Sequence, residues 1–530
     1  MKGTMLDKAS RRDLLWIVAL ALAVQAFWAM RMTHPTYFDA YTYTVNGRLL
    51  AEGKGFNAPL IWQYLDDPTS LPQPTLTYWM PLTSFIAAAG FAATGTFRGA
   101  QFPFWLMAGL LPVLSYAISR RLSPARWQAR TAALFTAAGG YFTAYWAQPS
   151  TFVLFAWVGG GCLLALALAM TDGRRRFWFL AGLLAGLSHL TRADGVLFVG
   201  VGGLLWVNDL RLMIKAGKWS EQLKSLIINL SIFIFGYLLV MGGWFWRTWQ
   251  VTGQPLSTVG TETIFLTRYN DIFAYGRHFD LSSYLAWGWG NILQSKLRAI
   301  WLAVQSFIGV VGLTAFAIFT VWGWIGYGRR PETRDWVRPF TWYALFLYGV
   351  MSLVFTFPGQ RGSLLHSSTA LWPWSMALTA GGIGLAVDWA ARRLPHWQPE
   401  RAKPIFASLF VVMAFVISLA VSLRQPLQQE AAAVYRQLAA ELPPDAIIMS
   451  GDPPGVFYHT GRASISAPHE PPAGMMAAAR QFGVNYLLLD ADRPPPLADL
   501  YTGQEQVAGV TFLGEYGEGF KLYAISAEKN

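Results

Sequence analysis

Long apolar runs separated by short basic segments set the pattern of this chain. The runs fall at 13–30, 101–119, 130–148, 151–170, 177–190, 195–208, 225–247, 298–326, 339–357, 368–389 and 404–423, and they predict about eleven membrane-spanning helices. A further run, 78–95 (YWMPLTSFIAAAGFAATG), is apolar enough to cross. It reads instead as a helix lying at the outer surface or dipping partly in. The stretch from Tyr37 to Pro81 is too polar to span. Inside it, Ala40 to Leu50 lacks proline and repeats Tyr41, Val45 and Leu49 at i, i+4 and i+8, one face of a helix that Gly53 and Gly55 end. After Arg424 the apolar runs shorten. Gln428 to Leu442 and Met475 to Phe482 read as helices, AIIMS (446–450) and NYLLLD (485–490) as buried strands, and VTFLGEYGEGFKLYAI as two strands joined by glycines.

Charge orients these elements. Lys2, Lys8, Arg11 and Arg12 precede the first run and predict a cytoplasmic N-terminus. The later basic clusters are Arg120/Arg121/Arg126/Arg130, Arg174 to Arg176, Arg211/Lys215/Lys218/Lys224, Arg329/Arg330/Arg334/Arg338 and Arg392/Arg393/Arg401/Lys403. All of them fall inside if 78–95 does not cross, and outside if it does. With the clusters inside, the outer face receives 31–100, turns near Gln148 and Arg192, the loop 248–297, the turn 358–367 and everything after 424. The predicted organisation is a transmembrane domain, 1–423, and an extracytoplasmic α/β domain, 424–530, in a multi-pass protein of the cell membrane.

Composition agrees. Of the 530 residues, 54% are hydrophobic, which marks a polytopic membrane protein. The formal net charge of +12 then reports topology rather than nucleic-acid binding. One cysteine, Cys162 in an apolar run, excludes an intramolecular disulfide and any multi-Cys metal site. There is no G-x-x-x-x-G-K-[ST], H-E-x-x-H or G-x-S-x-G, and the histidines are scattered, so no metal site is assigned.

Four outer clusters could carry chemistry: Asp39 with Arg48; Arg192 and Asp194 in LTRADG; Arg268, Asp271, Arg277 and His278, which read as ordinary loop charges; and Arg361 with His366 in FPGQRGSLLHSS. Asp39 sits where a carboxylate caps a helix start, and capping and catalysis both fit it. Arg192 is a cation on an outer turn, against the orientation rule. It snorkels to the interface, pairs with Asp194, or meets an anionic ligand at the outer leaflet.

The run D-A-Y-(x)6-R-(x)4-G from Asp39 to Gly53 resembles the first extracytoplasmic loop of the GT-C-type membrane glycosyltransferases, which include the protein mannosyltransferase and aminoarabinose transferase families. GLLAGLSHLTRADGVLF (182–198) is similar to their GLxxLTRPDG segment, and RGSLLHSSTALWPW looks like the late outer turn of the bacterial RgtA/B/C/D-like branch. The resemblance implies a GT-C-like fold and transfer of a hexose or pentose from a polyprenyl-phosphate donor to a hydroxyl of a glycan, lipid or protein acceptor. Asp39 would be the general base and Arg192 would lie near the donor phosphate. Arg361 and His366 are further cations for that phosphate, and Tyr41, Arg48, Gln148 and Asp194 complete the candidate set. Two departures stand out: Phe38 precedes Asp39 where a second carboxylate is common, and Gln148 stands where an acidic residue is common. A metal bridging two carboxylates is thereby put in doubt. No cofactor is assigned, and a divalent cation is left open. The alternatives are a flippase for lipid-linked sugars and a non-catalytic envelope assembly protein.

Overall fold

The computed structural model describes residues 7–215, 220–394 and 396–526, so Lys2 and Lys218 lie outside the described residues. The chain divides into two compact units. One holds Met1–Arg31, Gln101–Arg247 and Ser295–Gln425; the other gathers Met32–Ala100, Thr248–Gln294 and Pro426–Asn530.

The first unit is a helical bundle. Among the described residues, seven helices are long and apolar enough to cross a bilayer: Lys8–Arg31, Phe97–Leu122, Thr151–Asp172, Ala193–Lys215, Leu223–Thr252, Thr356–Ala391 and Pro399–Leu423. The chain is thus a multi-pass membrane protein. Two of the expected spans are not continuous. The run 298–326 breaks between Trp289–Val311 and Thr314–Arg329 with a 99° bend. Leu313 (φ 51°) and Thr314 (φ 55°) lie in the left-handed region there, which a right-handed helix cannot pass through. The run 130–148 stops at Ala138, because Gly139 and Gly140 both take positive φ. The runs 177–190 and 339–357 are helical, as Arg175–Thr191 and Pro331–Leu353.

Small residues let the helices approach. A Cβ on Gly323 would overlap the carbonyl of Leu378, and one on Gly382 would overlap that of Phe319, so Ala317–Arg329 and Trp372–Ala391 pack backbone to backbone. At the start of the first span, Asp13 is 4% exposed and takes Arg126 Nη2 at 2.7 Å and Arg130 Nε at 3.0 Å. Two arginines of one basic cluster are therefore tied to the N-terminal end of that span.

The second unit is built on a six-stranded sheet in the order 60–61, 463–466, 447–450, 486–489, 520–525, 510–516. The first four strands run parallel and the last two antiparallel. Alternation along the strands fills both faces. Ile61, Met449, Ile465, Leu487 and Tyr523 meet Met475, Ala479 and Phe482 of the helix Pro472–Phe482. Ile448, Leu488 and Leu522 meet Val434 and Leu438 of Gln429–Glu441. Burial on both faces explains why IIM and LLL are uninterrupted apolar runs. The edge strand Leu60–Ile61 comes from the first loop, just over four hundred residues before its partner Ala463–Ser466. The helix Leu82–Thr94 also belongs to this unit. At 13 residues it is about 20 Å long, short of the ~30 Å hydrocarbon core.

Candidate active site

In the helical unit, Arg192 ends the helix Arg175–Thr191. Its backbone turns extended (φ −151°, ψ 142°) and its N–H donates to Ser188 O at 3.0 Å. The short helix Ala193–Val196 then carries Asp194 back beside it, a tight return that needs glycine at 195, because a Cβ there would overlap the backbone of Ser188. Arg192 Nε and Nη2 reach Asp194 Oδ1 and Oδ2 at 3.0 and 3.1 Å, a bidentate pair with side chains 12% and 10% exposed. Asp194 thus balances the charge of Arg192 in the structure and engages two of the five N–H groups of the guanidinium.

That pair is the centre of a polar network. Ser367 Oγ donates to Asp194 Oδ2, and Tyr343 Oη donates to the Ser367 carbonyl at 3.0 Å. Thr151 Oγ1 lies 3.5 Å from Arg192 Nη1 and 2.7 Å from His366 Nδ1. The His366 ring stacks on Phe152, with centroids 3.9 Å apart. Three residues singled out in the sequence, Arg192, Asp194 and His366, therefore share one network. Thr151 and Ser367 join them; neither has a charge or a spacing that would single it out. Arg361 lies on the turn Gly359–Ser363 and is exposed, and Gln148 is fully buried after the helix Thr143–Trp146.

In the sheet-bearing unit, Asp39 is half-buried in the first turn of Phe38–Ala51, where its charge suits the helix N-terminus. The N-cap position is Tyr37, so Asp39 lies two residues inside the helix. It starts the row Asp39, Tyr43, Gly47, which faces the helix Leu82–Thr94: Ser84 Oγ donates to Tyr43 O at 3.2 Å, and Gly47 leaves room for Ala87.

Tyr41 and Arg48 serve a different face. Tyr41 is 1% exposed, and its hydroxyl lies 3.0 Å from His34 Nδ1 and 2.9 Å from His459 Nε2. His34 Nδ1 also lies 2.8 Å from the Pro35 carbonyl, so with a proton there it donates, and Tyr41 donates to His459. Arg48 stacks over Phe457 and Tyr458 and donates to the Tyr458 carbonyl at 3.5 Å. Both side chains bind the Asp39 helix to the helix Pro453–Thr460. Burial pushes the Tyr41 hydroxyl up and His34 down, and it takes His459 to about 3 with help from the positive charge of His34, Arg436 and Arg48. At the N-cap of Pro453–Thr460, Asp452 accepts from Gly455 N at 3.1 Å and is pushed up to about 7, mainly by burial.

Among the described residues, no group of three or more His, Cys, Asp or Glu side chains is placed to hold a metal ion. The neighbour of Asp39 is a phenylalanine. This donor set does not fit a metal held by paired carboxylates, and no step below is routed through one.

The fold is that of a polytopic membrane protein of the GT-C architecture, carrying a small α/β domain. By sequence the chain matches no family profile and no curated protein. By structure it is similar to the oligosaccharyltransferase AglB from Archaeoglobus fulgidus in complex with an inhibitory peptide and a dolichol-phosphate, at 12% identity and TM-score 0.58, over 97% of this chain and 74% of that one. The same enzyme tethered to an acceptor peptide gives 11% identity and TM-score 0.59, over 97% and 74% of the two chains. ArnT from Cupriavidus metallidurans in the apo state gives 14% identity and TM-score 0.51, over 98% and 99%.

Proposed function

We propose that the protein is a membrane glycosyltransferase that moves a hexose or pentose from a polyprenyl-phosphate donor to a hydroxyl of a glycan, lipid or protein acceptor at the extracytoplasmic face. The observation that carries the reading is a fold shared over nearly the whole chain with AglB and ArnT. The chain's own residues supply the parts. In a single displacement, the acceptor oxygen forms its bond to the anomeric carbon as the bond from that carbon to the phosphate oxygen breaks. The electron pair leaves on the phosphate, and the configuration inverts. Asp39 takes the acceptor proton, its carboxylate held by a helix that Tyr41 and Arg48 fix in place. Guanidinium and imidazole groups stabilise the departing phosphate without protonating it, and Arg192, Arg361 and His366 are assigned that task.

The test is transfer from polyprenyl-phosphate sugars by protein in nanodiscs. Asp39→Asn should lower kcat by about 10²–10⁴-fold and leave binding of the lipid phosphate unchanged. An Asp39→Asn enzyme as fast as wild type would remove the base assignment. Wild-type protein that moves these sugars across a bilayer without forming a glycosidic bond would favour the flippase reading.

A further inference from the structure

Thr151 opens the helix Thr151–Asp172 and is fully buried. It carries no charge, yet its hydroxyl decides how two charged or titratable neighbours are set. Among the described residues that hydroxyl has two hydrogen-bond neighbours. Arg192 Nη1 lies at 3.5 Å and His366 Nδ1 at 2.7 Å. A guanidinium has donors and no acceptor, so Thr151 Oγ1 accepts from Arg192. The proton of the hydroxyl then has one acceptor within reach, the lone pair of His366 Nδ1. If Nδ1 carried a proton instead, two donors would face Oγ1. The threonine proton would then be buried with no acceptor, an arrangement that folded proteins avoid.

The direction of that bond fixes the tautomer. An imidazole that accepts at Nδ1 keeps its proton on Nε2. The plane of the ring is fixed as well, because it stacks on Phe152 with centroids 3.9 Å apart and planes 14° apart. A second hydroxyl on the same guanidinium follows the same rule. Ser367 Oγ accepts from Arg192 Nε at 3.3 Å and donates to Asp194 Oδ2. Both hydroxyl residues are fully buried, and each has its sense of donation set by an arginine that can only donate. Asp194 holds that arginine in turn, through Nε and Nη2 at 3.0 and 3.1 Å.

We propose that Thr151 is a positioning residue, whose hydroxyl, oriented by Arg192, holds His366 as the imidazole with its proton on Nε2. Whatever group His366 Nε2 meets, it meets as a donor. The assignment of the proton rests on the hydrogen bonds alone. Its role in transfer rests on the transferase reading: a neutral imidazole N–H donates to the departing phosphate and keeps its proton, and the positive charge comes from arginine. Thr151 acts through these two side chains, as a supporting residue that fixes the groups in front of it.

The test uses the full chain in nanodiscs, labelled with 15N-histidine and read by solid-state NMR, which separates protonated from unprotonated ring nitrogens. His366→Gln identifies which signals of the seven histidines belong to this ring. Wild type should show an unprotonated Nδ1 and a protonated Nε2. Thr151→Val keeps the shape of the side chain and removes the hydroxyl, and it should give signals of both tautomers. Thr151→Ser restores a hydroxyl and should return the wild-type pattern. A protonated Nδ1 in wild type would overturn the proposal without any variant. So would the wild-type pattern in a folded Thr151→Val protein. In turnover from polyprenyl-phosphate sugars, Thr151→Val should lower kcat roughly tenfold, the scale of one hydrogen bond, and Thr151→Ser should recover most of that loss. A wild-type kcat in Thr151→Val, with the tautomer changed, removes the role in transfer. Nε2 protonation that depends on the Thr151 hydroxyl, in a protein that transfers no sugar, leaves the positioning standing and removes the transferase.

Discussion

The Arg192–Asp194 pair gives the most direct test of the site's electrostatics. Both side chains are about nine-tenths buried, and the carboxylate also takes the Ser367 hydroxyl. Asp194→Ala takes the bidentate carboxylate away from the guanidinium and leaves its Nε with Ser367 Oγ at 3.3 Å. Breaking a buried pair in this way costs about 3–5 kcal/mol, because the remaining ion has lost its water without keeping its partner. Arg192→Met removes the other charge and puts a side chain of similar length in its place. The double variant carries neither charge, so most of the desolvation penalty goes with them. Its loss should be smaller than that of Asp194→Ala alone by about 2 kcal/mol or more. The measurement is unfolding of the full-length protein in mixed detergent micelles by SDS titration, with wild type, both single variants and the double variant forming a cycle. If the double variant loses the sum of the single losses to within about 0.5 kcal/mol, the two groups do not act as a pair and the network described here is wrong.

Other consequences follow from the sheet-bearing unit. Asp452 has a folded pKa of about 7, above that of an unfolded aspartate, so its contribution is full below about pH 4 and is lost as pH rises to 7; Asp452→Asn should abolish that decline. His459 is depressed to about 3, so its contribution is intact above about pH 6.5 and is lost as pH falls towards 3; His459→Gln should flatten that acid limb, and wild-type slopes in either variant would refute the assignment. Gly47→Ala would place a Cβ 2.8 Å from the Ala87 methyl and 3.1 Å from the Ser84 carbonyl, at a cost of about 1–3 kcal/mol. Adding Ala87→Gly should return most of that loss in a thermal unfolding assay, and no recovery would show that the two helices do not meet there.

These residues also change how the first loop is understood. Tyr41 and Arg48 flank a stretch that looks catalytic in sequence, yet both are spent on holding its helix to Pro453–Thr460. The C-terminal segment therefore helps to hold the helix that carries Asp39. A C-terminal truncation expressed to test catalysis would remove that support together with most of the sheet.

Much of this protein is settled by local sequence. Eleven apolar runs, several of them shorter than the ~20 residues of a straight span, basic connections between them, and Tyr41, Val45 and Leu49 on one helical face suffice to predict a polytopic chain with a helix after its first span. The buried strands 447–450 and 486–489 announce themselves as short apolar runs, because both of their faces are covered. Other features depend on contacts between residues far apart in the chain. Two residues at 60–61 carry no period of their own and become a strand only by pairing with Ala463–Ser466. The bend at Leu313 and Thr314 lies in an apolar run with no proline to announce it. Asp194 and Arg192 could be foreseen as partners two residues apart, but Ser367 and Thr151 could not. Hydroxyls on apolar helices look alike until packing decides which of them meets a charge. Local sequence sets what each segment prefers, through hydrophobic period and backbone freedom. Which side chains meet across hundreds of residues is decided only when those segments pack, since that is when each buried polar atom must find a partner.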